Sequence, residues 1–258
     1  MRSYLHPCGL VVLAMLTLFA CAPLIAHAQR PAPAATPPPQ KKKTPPGAKG
    51  FELFAGRDAS DKLITGAGTR GGVGAAQAAF DEGLKNYKAH DLTKAAAALE
   101  RATKLAPKWA EAHYSLAIVL NELDRWDEAV VEFQRALDAN PDENTRALAI
   151  YNQGNALLDL GRYDKALANF QQTAQLAPAA ATPHYNMGMA YLGLKQPDQA
   201  VAEFKEAIRL KPGYADAHYN LGVLYHQRGR DNEARAEQQQ LTKLNPTLAR
   251  RLAALLKQ

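Results

Sequence analysis

Residues 147–180 read ALAIYNQGNALLDLGRYDKALANFQQTAQLAPAA and contain two apolar runs with the spacing of an α-helix. The runs consist of Ile150, Leu157 and Leu158, then Tyr163, Ala166, Leu167 and Phe170. Gly161 lies between the runs, where it favours the end of a helix, and Pro178 follows the second, where a helix cannot continue through it. The stretch is therefore predicted to form two helices joined by a tight turn.

The same pattern recurs along the chain at a period close to 34 residues. The prolines that close it lie at 107, 141, 178, 212 and 246, with separations of 34, 37, 34 and 34 residues. They define five units, 76–109, 110–143, 147–180, 181–214 and 215–248, with Asn144, Thr145 and Arg146 inserted before the third. Such a period is typical of an array in which each unit needs a neighbour to bury its apolar face.

Within the units, two positions carry only small residues. Position 8 is Gly83, Ala117, Gly154, Gly188 and Gly222, and position 20 is Ala95, Ala129, Ala166, Ala200 and Ala234. Position 24 is bulky and apolar in the first four units, as Leu99, Phe133, Phe170 and Phe204, and is Gln238 in the fifth. Small residues opposite a large one allow two antiparallel helices to cross closely, so two helices per unit are predicted.

These residues resemble the tetratricopeptide repeat (TPR), a helix-turn-helix unit of 34 residues. The family favours small residues at positions 8, 20 and 27 and proline at position 32, and the chain meets this pattern at nearly every such place over 76–246. The departures are Glu82 at position 7, Gln238 at position 24, and Ala79, His113, Ile150, His184 and His218 at position 4, where the family often has a large aromatic residue. The resemblance implies an all-α fold, a right-handed α-solenoid of five helix-turn-helix units.

The C-terminal residues 247–258 continue with an apolar stripe made of Leu248, Leu252, Leu255 and Leu256. We expect a helix that caps the last unit, because an open end of the array would leave apolar surface in water. The three residues inserted before the third unit leave two interpretations open. They lengthen its first helix by about 4.5 Å, or they form a longer loop.

Residues 1–28 have the pattern of a secretory signal peptide. Arg2 precedes an apolar run over residues 10–19, and Ala26-His27-Ala28 forms a cleavage motif before Gln29. We therefore expect an exported protein of the periplasm or cell envelope. Cleavage at this point would leave a mature chain without cysteine, because the two cysteines precede it.

Two alternatives to simple cleavage remain. Residues 18–21, Leu-Phe-Ala-Cys, are similar to a bacterial lipoprotein box, which would make Cys21 a lipidation site. An uncleaved membrane anchor is the other alternative, although the apolar stretch over residues 9–25 is shorter than a spanning helix requires and contains Pro23.

Residues 29–50 and 51–75 differ in composition from the repeats. Seven prolines lie between residues 31 and 46, together with Lys41, Lys42 and Lys43, so 29–50 is predicted to be a disordered tether that keeps the array away from its N-terminus. Residues 51–75 are a glycine-rich linker for which the sequence predicts no role.

The units over 76–246 have 19 Lys and Arg against 22 Asp and Glu, whereas the flanking segments are basic. A nucleic-acid-binding solenoid is therefore not expected, because it would carry its positive charge along the repeats.

No constellation of catalytic side chains is found, so we expect a non-catalytic protein without a cofactor or metal. Gly66, Gly68 and Gly71 match a dinucleotide-binding pattern, but no βαβ unit surrounds them. The three histidines at position 4 belong to different units and lack the convergence that zinc requires, so they are interpreted as packing residues.

The first helices carry a column of aromatic residues beside a column of amides. Position 5 is Phe80, Tyr114, Tyr151, Tyr185 and Tyr219, position 6 includes Asn152, Asn186 and Asn220, and Asn155 follows at position 9. Asn152, Asn186 and Asn220 resemble the asparagines at position 6 with which members of the TPR family bind peptide backbones in the concave groove. The resemblance therefore implies a backbone-binding role for these three residues. The competing interpretation is that Tyr-Asn-x-Gly is a structural feature of these repeats.

The expected peptide-binding residues are accordingly Tyr114, Tyr151, Asn152, Asn155, Tyr185, Asn186, Tyr219 and Asn220. Positions 2 and 6 lack the basic residues with which one TPR variant binds a terminal carboxylate. The acidic Glu111, Glu122, Asp159 and Asp216 on this side favour a neutral or basic partner segment.

The predicted function is a protein-interaction scaffold of the cell envelope. The alternatives are an assembly factor or a regulatory subunit of an envelope complex that uses the convex or end surfaces.

Overall fold

The computed structural model of the chain describes residues 73–257, and all regular elements in this range are helices. The earlier segments, which include the predicted signal peptide, Cys21, the tether and the glycine pattern at 66–71, lie outside the described residues. The helices are α1 Val73–Lys88, α2 Leu92–Leu105, α3 Ala110–Glu122, α4 Trp126–Asp138, α5 Glu143–Asp159, α6 Tyr163–Leu176, α7 Ala181–Gly193, α8 Pro197–Leu210, α9 Ala215–Gln227, α10 Asp231–Leu244 and α11 Pro246–Leu255.

Ten of these helices form five pairs, and α11 packs on the last pair. Each helix packs against the next one in the chain, and the first helices of successive units also touch, as α3 does with α5 and α5 with α7. Every unit thus packs mainly against its neighbours, which is the architecture of an α-solenoid. The predicted all-α array of five units with a terminal capping helix is confirmed. No helix within residues 73–257 has the length and apolar character needed to cross a membrane.

The turn inside each unit uses a left-handed residue at position 15. These residues are His90, Asp124, Gly161, Lys195 and Gly229, with φ between 59° and 71°. The following N–H closes the turn on the carbonyl of position 11, as Arg162 N does on Leu157 O at 2.8 Å. Glycine adopts this conformation without steric cost, so Gly161 and Gly229 end their helices as predicted, whereas the other three units accept a strained residue.

Close approach of the paired helices depends on the glycines at position 8. A Cβ added to Gly188 would lie 2.6 Å from a ring carbon of Phe204, and one on Gly154 would lie 2.8 Å from Phe170. Both phenylalanines are completely buried. Position 8 must therefore stay small because position 24 of the same unit fills the space opposite it.

The fifth unit has Gln238 at position 24, and the capping helix compensates for it. A Cβ on Gly222 would collide with the side chain of Leu252, which comes from α11 and is completely buried together with Leu241. Leu252 therefore occupies the space that a phenylalanine fills in the second to fourth units. The lack of an apolar residue at Gln238 is thus compensated by the apolar stripe of α11, which covers the end of the array.

The three residues inserted before the third unit extend its first helix. Helix α5 has 17 residues, whereas α3, α7 and α9 have 13 each. Asp142 caps the added turn, because its carboxylate accepts hydrogen bonds of 2.9 Å from Asn144 N and Thr145 N. Of the two interpretations of the insertion, the longer helix is the one that the structure shows.

Candidate functional site

Tyrosine and asparagine side chains on the first helices form a hydrogen-bonded ladder between units. Asn152 Nδ2 donates to Tyr114 Oη at 3.1 Å, Asn186 Nδ2 to Tyr151 Oη at 3.2 Å, and Asn220 Nδ2 to Tyr185 Oη at 3.3 Å. Each bond joins position 6 of one unit to position 5 of the unit before it. At least one amide hydrogen of each asparagine is thus already used within the protein.

The burial of several side chains further reduces the number of predicted peptide-binding residues that a ligand can contact. Tyr114 and Tyr151 are 4% and 8% exposed, and Asn186 is 8% exposed, so these three offer almost no side-chain surface to a ligand. Their position is a consequence of packing, because the tyrosine rings fill the contact between successive units and pack against Phe133 and Phe170. A buried phenol needs a hydrogen-bond partner, and the asparagine of the next unit supplies it. The structural interpretation of Tyr-Asn-x-Gly therefore applies to these residues.

The remaining predicted residues are partly exposed on the same face: Asn152, Asn155, Tyr185, Tyr219 and Asn220. Their polar atoms are only partly used. Within residues 73–257, the side-chain oxygens of Asn152 and Asn220 accept no hydrogen bond, whereas that of Asn155 accepts one from Asn186 at 2.8 Å. This face therefore offers a ligand the amide oxygens of Asn152 and Asn220, which accept hydrogen bonds and lie two units apart, and the second amide hydrogen of Asn152.

Burial also keeps the tyrosine hydroxyls of the ladder protonated. Desolvation raises the pKa of Tyr114 and of Tyr185 well above the usual value, because the charged phenolate is disfavoured in an apolar contact. Each of these hydroxyls accepts a hydrogen bond from an asparagine and keeps its own proton to donate. Of the two residues, Tyr185 is the one that is partly exposed.

Each of the three histidines at position 4 is bonded to a glutamate of the second helix in its own unit. His113, His184 and His218 place Nδ1 at 2.7, 2.8 and 2.6 Å from Glu132, Glu203 and Glu237. The Nε2 atoms of His113 and His218 also donate to the carbonyl of the proline closing the preceding unit, at 3.0 and 2.9 Å. The histidines therefore join helices, and no group of three potential metal ligands is present in the described part of the chain.

Sequence reasoning missed these glutamates, although the chain contains a signal for them. Glutamate occurs at position 23, 19 residues after the histidine, in the three units that have histidine at position 4. The other two units have neither residue, and the third has Ile150 and Asn169 instead, with Asn169 Nδ2 donating to Ile150 O at 3.2 Å. Paired occurrence of two residue types within one repeated unit indicates contact between them.

Family models described as tetratricopeptide repeat match residues 110–179, 151–213 and 185–249. Together these matches cover more than half of the chain. The chain belongs to the tetratricopeptide repeat family. No curated protein matches its sequence at a significant level.

Several solved TPR structures share the fold at low sequence identity. MamA residues 41 to the end from Desulfovibrio magneticus RS-1 is 22% identical, with a TM-score of 0.63, and the match covers 69% of this chain and 98% of MamA. YrrB, described as a TPR protein with an unusual peptide-binding site, is 23% identical with a TM-score of 0.58, covering 76% and 98%. PilF from Pseudomonas aeruginosa is 23% identical with a TM-score of 0.58, covering 73% and 87%. At these identities the likeness shows the fold alone.

Proposed function

We propose that this TPR protein is a non-catalytic scaffold that holds an extended segment of a partner protein in its groove. The groove is the face of α3, α5, α7 and α9 on which the ladder lies. Its partly exposed polar residues on α5, α7 and α9 are Asn152, Asn155, Tyr185, Tyr219 and Asn220. Any catalysis would reside in the partner. The single observation that carries the proposal is a row of partly exposed polar side chains repeated at the spacing of the units.

The ladder contributes to binding by fixing these side chains in advance. Asn152 is held by one hydrogen bond to the preceding unit and Asn220 by two, to Tyr185 and Met189, so their free oxygens already point in a defined direction. Side chains that are ordered before binding lose less entropy when a ligand arrives. A series of acceptors that meets peptide N–H groups would hold an extended backbone with little regard to its sequence. The peptide-binding site of YrrB, a protein of the same fold, supports this type of ligand.

A second candidate is suggested by apolar residues on the second helices. Leu105, Val131 and Leu176 are 56%, 48% and 52% exposed. An assembly factor, or a regulatory subunit of an envelope complex, would use this outer surface and leave the groove empty. The exported location is likewise a proposal, and the intact mass of the mature protein distinguishes cleavage before Gln29 from a lipid on Cys21.

Site-specific crosslinking in intact cells tests the two candidates. The photoreactive residue p-benzoylphenylalanine replaces Tyr219 in the groove of the full-length chain, or Val131 on the outer face as the matched control. We expect a covalent adduct with one partner from position 219 and none from position 131. Adducts from position 131 alone would favour the second candidate, and adducts from neither position would contradict the groove proposal.

A further inference from the structure

Two stacked rings near the C-terminal end of the groove lie beside a carboxylate. The ring centroids of Tyr185 and Tyr214 are 4.9 Å apart with an interplanar angle of 29°. Tyr214 is the last residue of the fourth unit, and Asp216 follows it in the first turn of α9. We call Tyr185, Tyr214 and Asp216 the C-terminal corner.

The same three unit positions form a similar arrangement near the start of the array. Phe80 and Trp109 have ring centroids 4.6 Å apart and an interplanar angle of 40°. Glu111 follows Trp109 by two residues, in the first turn of α3. We call these three residues the N-terminal corner. In both corners the residues occupy positions 5 and 34 of one unit and position 2 of the next.

Neither corner carboxylate has a partner within the described residues. No cationic side chain in the range 73–257 pairs with Asp216 or Glu111, and no donor bonds to either carboxylate. Asp216 is half-buried, and desolvation raises the pKa of its carboxyl with no compensating hydrogen bond. By contrast, Glu206 and Glu233 on the second helices are each paired with an arginine. A half-buried carboxylate without a partner is costly, unless an external cation completes the site.

We propose that the C-terminal corner binds a lysine or arginine side chain of the segment in the groove, and that the N-terminal corner binds a second one. This inference rests on the proposed function and specifies the chemistry of the partner. Tyr214 and Phe80 are buried, so the rings that a cation can reach are those of the partly exposed Tyr185 and Trp109. An aromatic ring attracts a cation, and an adjacent carboxylate adds a charge-assisted hydrogen bond. Lys211, whose Nζ lies 5.9 Å from the Tyr214 centroid, already places one cation at this aromatic pair.

Charge complementarity identifies the occupant as a basic segment. The repeats have three more acidic than basic residues over 76–246, and these two carboxylates are among the acidic residues that no internal cation neutralises. Two basic side chains separated along an extended chain would meet both corners, while the backbone between them would meet the asparagine oxygens. A neutral or acidic segment would leave both carboxylates desolvated and unpaired.

Peptide display on the full chain provides the probe. Random linear peptides are selected against the wild type, against Asp216→Asn combined with Glu111→Gln, and against the control Asp164→Asn. Asp164 lies in the first turn of α6 and is exposed, so the control removes an equivalent charge outside the groove. We expect lysine or arginine enrichment with the wild type and the control, and loss of that enrichment with the double variant.

A selected peptide then gives the decisive measurement. Replacing its lysine by norleucine should weaken binding about tenfold, and Asp216→Asn should weaken the lysine peptide equally but leave the norleucine peptide unaffected. Selected peptides without a basic preference, or an equal effect of Asp216→Asn on both peptides, would overturn the inference and leave the proposed function standing. No enriched peptide at all would overturn the proposed function as well. Thermal unfolding checks that Asp216→Asn folds, as expected for a change that removes a desolvated charge.

Discussion

Single side chains that join the two helices of a unit are a repeated feature of this protein. His218 is buried, with Glu237 2.6 Å from Nδ1 and the Pro212 carbonyl 2.9 Å from Nε2. A carbonyl can only accept, so Nε2 carries a proton, and the neighbouring carboxylate favours a second proton on Nδ1. The hydrogen bond to Glu237 is the main reason that the pKa of His218 is raised above its usual value.

This pair predicts a pH-dependent contribution to stability. Because the folded pKa of His218 lies above the unfolded value near 6.5, the contribution is complete below that pH and is lost as pH rises through the folded pKa. We expect Glu237→Gln to reduce the free energy of unfolding by about 2 kcal/mol at pH 6 and by less at pH 9, measured by urea denaturation. The control is Glu128→Gln, whose partner Arg125 stays charged throughout. A Glu237→Gln penalty that does not change with pH would show that the imidazole is not titrating in this range.

Another residue-scale prediction concerns the left-handed turn. Lys195 is exposed and has φ 59°, a conformation that costs free energy for any residue with a Cβ. Lys195→Gly should stabilise the protein by about 1 kcal/mol, measured by thermal unfolding. Lys195→Ala keeps the Cβ and removes the charge, so it should have little effect. A loss of stability in the glycine variant would indicate that the Lys195 side chain makes a contribution of its own.

At the scale of elements, α11 completes a helix pair that the fifth unit cannot complete alone. The Leu252 side chain of α11 packs against Gly222 in α9, at the place that the second to fourth units fill with their own phenylalanine. Asn245 caps α11 by accepting hydrogen bonds from Thr247 N at 3.1 Å and Leu248 N at 3.2 Å. The capping helix is therefore an integral part of the last hydrophobic cluster, which includes Leu241 and Ala249.

Truncation of Leu252 tests this role of α11. Leu252→Ala should cost about 2–5 kcal/mol, because it leaves a cavity beside Gly222 that no neighbouring side chain fills. Hydrogen exchange should show faster opening of α9, α10 and α11 than of the central units. The matched control is Leu244→Ala, since Leu244 is 41% exposed and its truncation creates no cavity. Equal effects of the two substitutions would contradict a core role for Leu252.

At the scale of the whole molecule, successive units stabilise each other through the contacts between neighbours. The ladder adds a polar bond to each contact between successive first helices in the second to fifth units. Solenoids of this type behave as a sum of unit stabilities and interface terms, so each ladder bond should affect the coupling between two units more than the stability of either.

A double-mutant cycle measures this coupling. Asn152→Ala should cost about 1–3 kcal/mol, because Tyr114 is buried and its hydroxyl would lose the only side-chain partner it has within residues 73–257. Adding Tyr114→Phe removes the hydroxyl that has lost its hydrogen-bond partner, and it should restore part of the lost free energy of unfolding. Chemical denaturation of the two single variants and the double variant gives the interaction free energy. A purely additive result would mean that the bond does not couple the units.

The sequence by itself determined the number of units, the helix pairs and the cap, because each is encoded locally by proline, glycine and small residues at a fixed period. Gly161, Pro178 and the apolar stripe after Pro246 act within one turn or one helix, and local rules apply to them directly. Only the tertiary structure decided where the polar groups of the first helices go. Asn186 and Tyr151 are 35 residues apart, and whether they meet each other or a ligand depends on how one unit rotates against the next. That rotation results from the packing of whole interfaces, which the periodicity of a single unit does not encode.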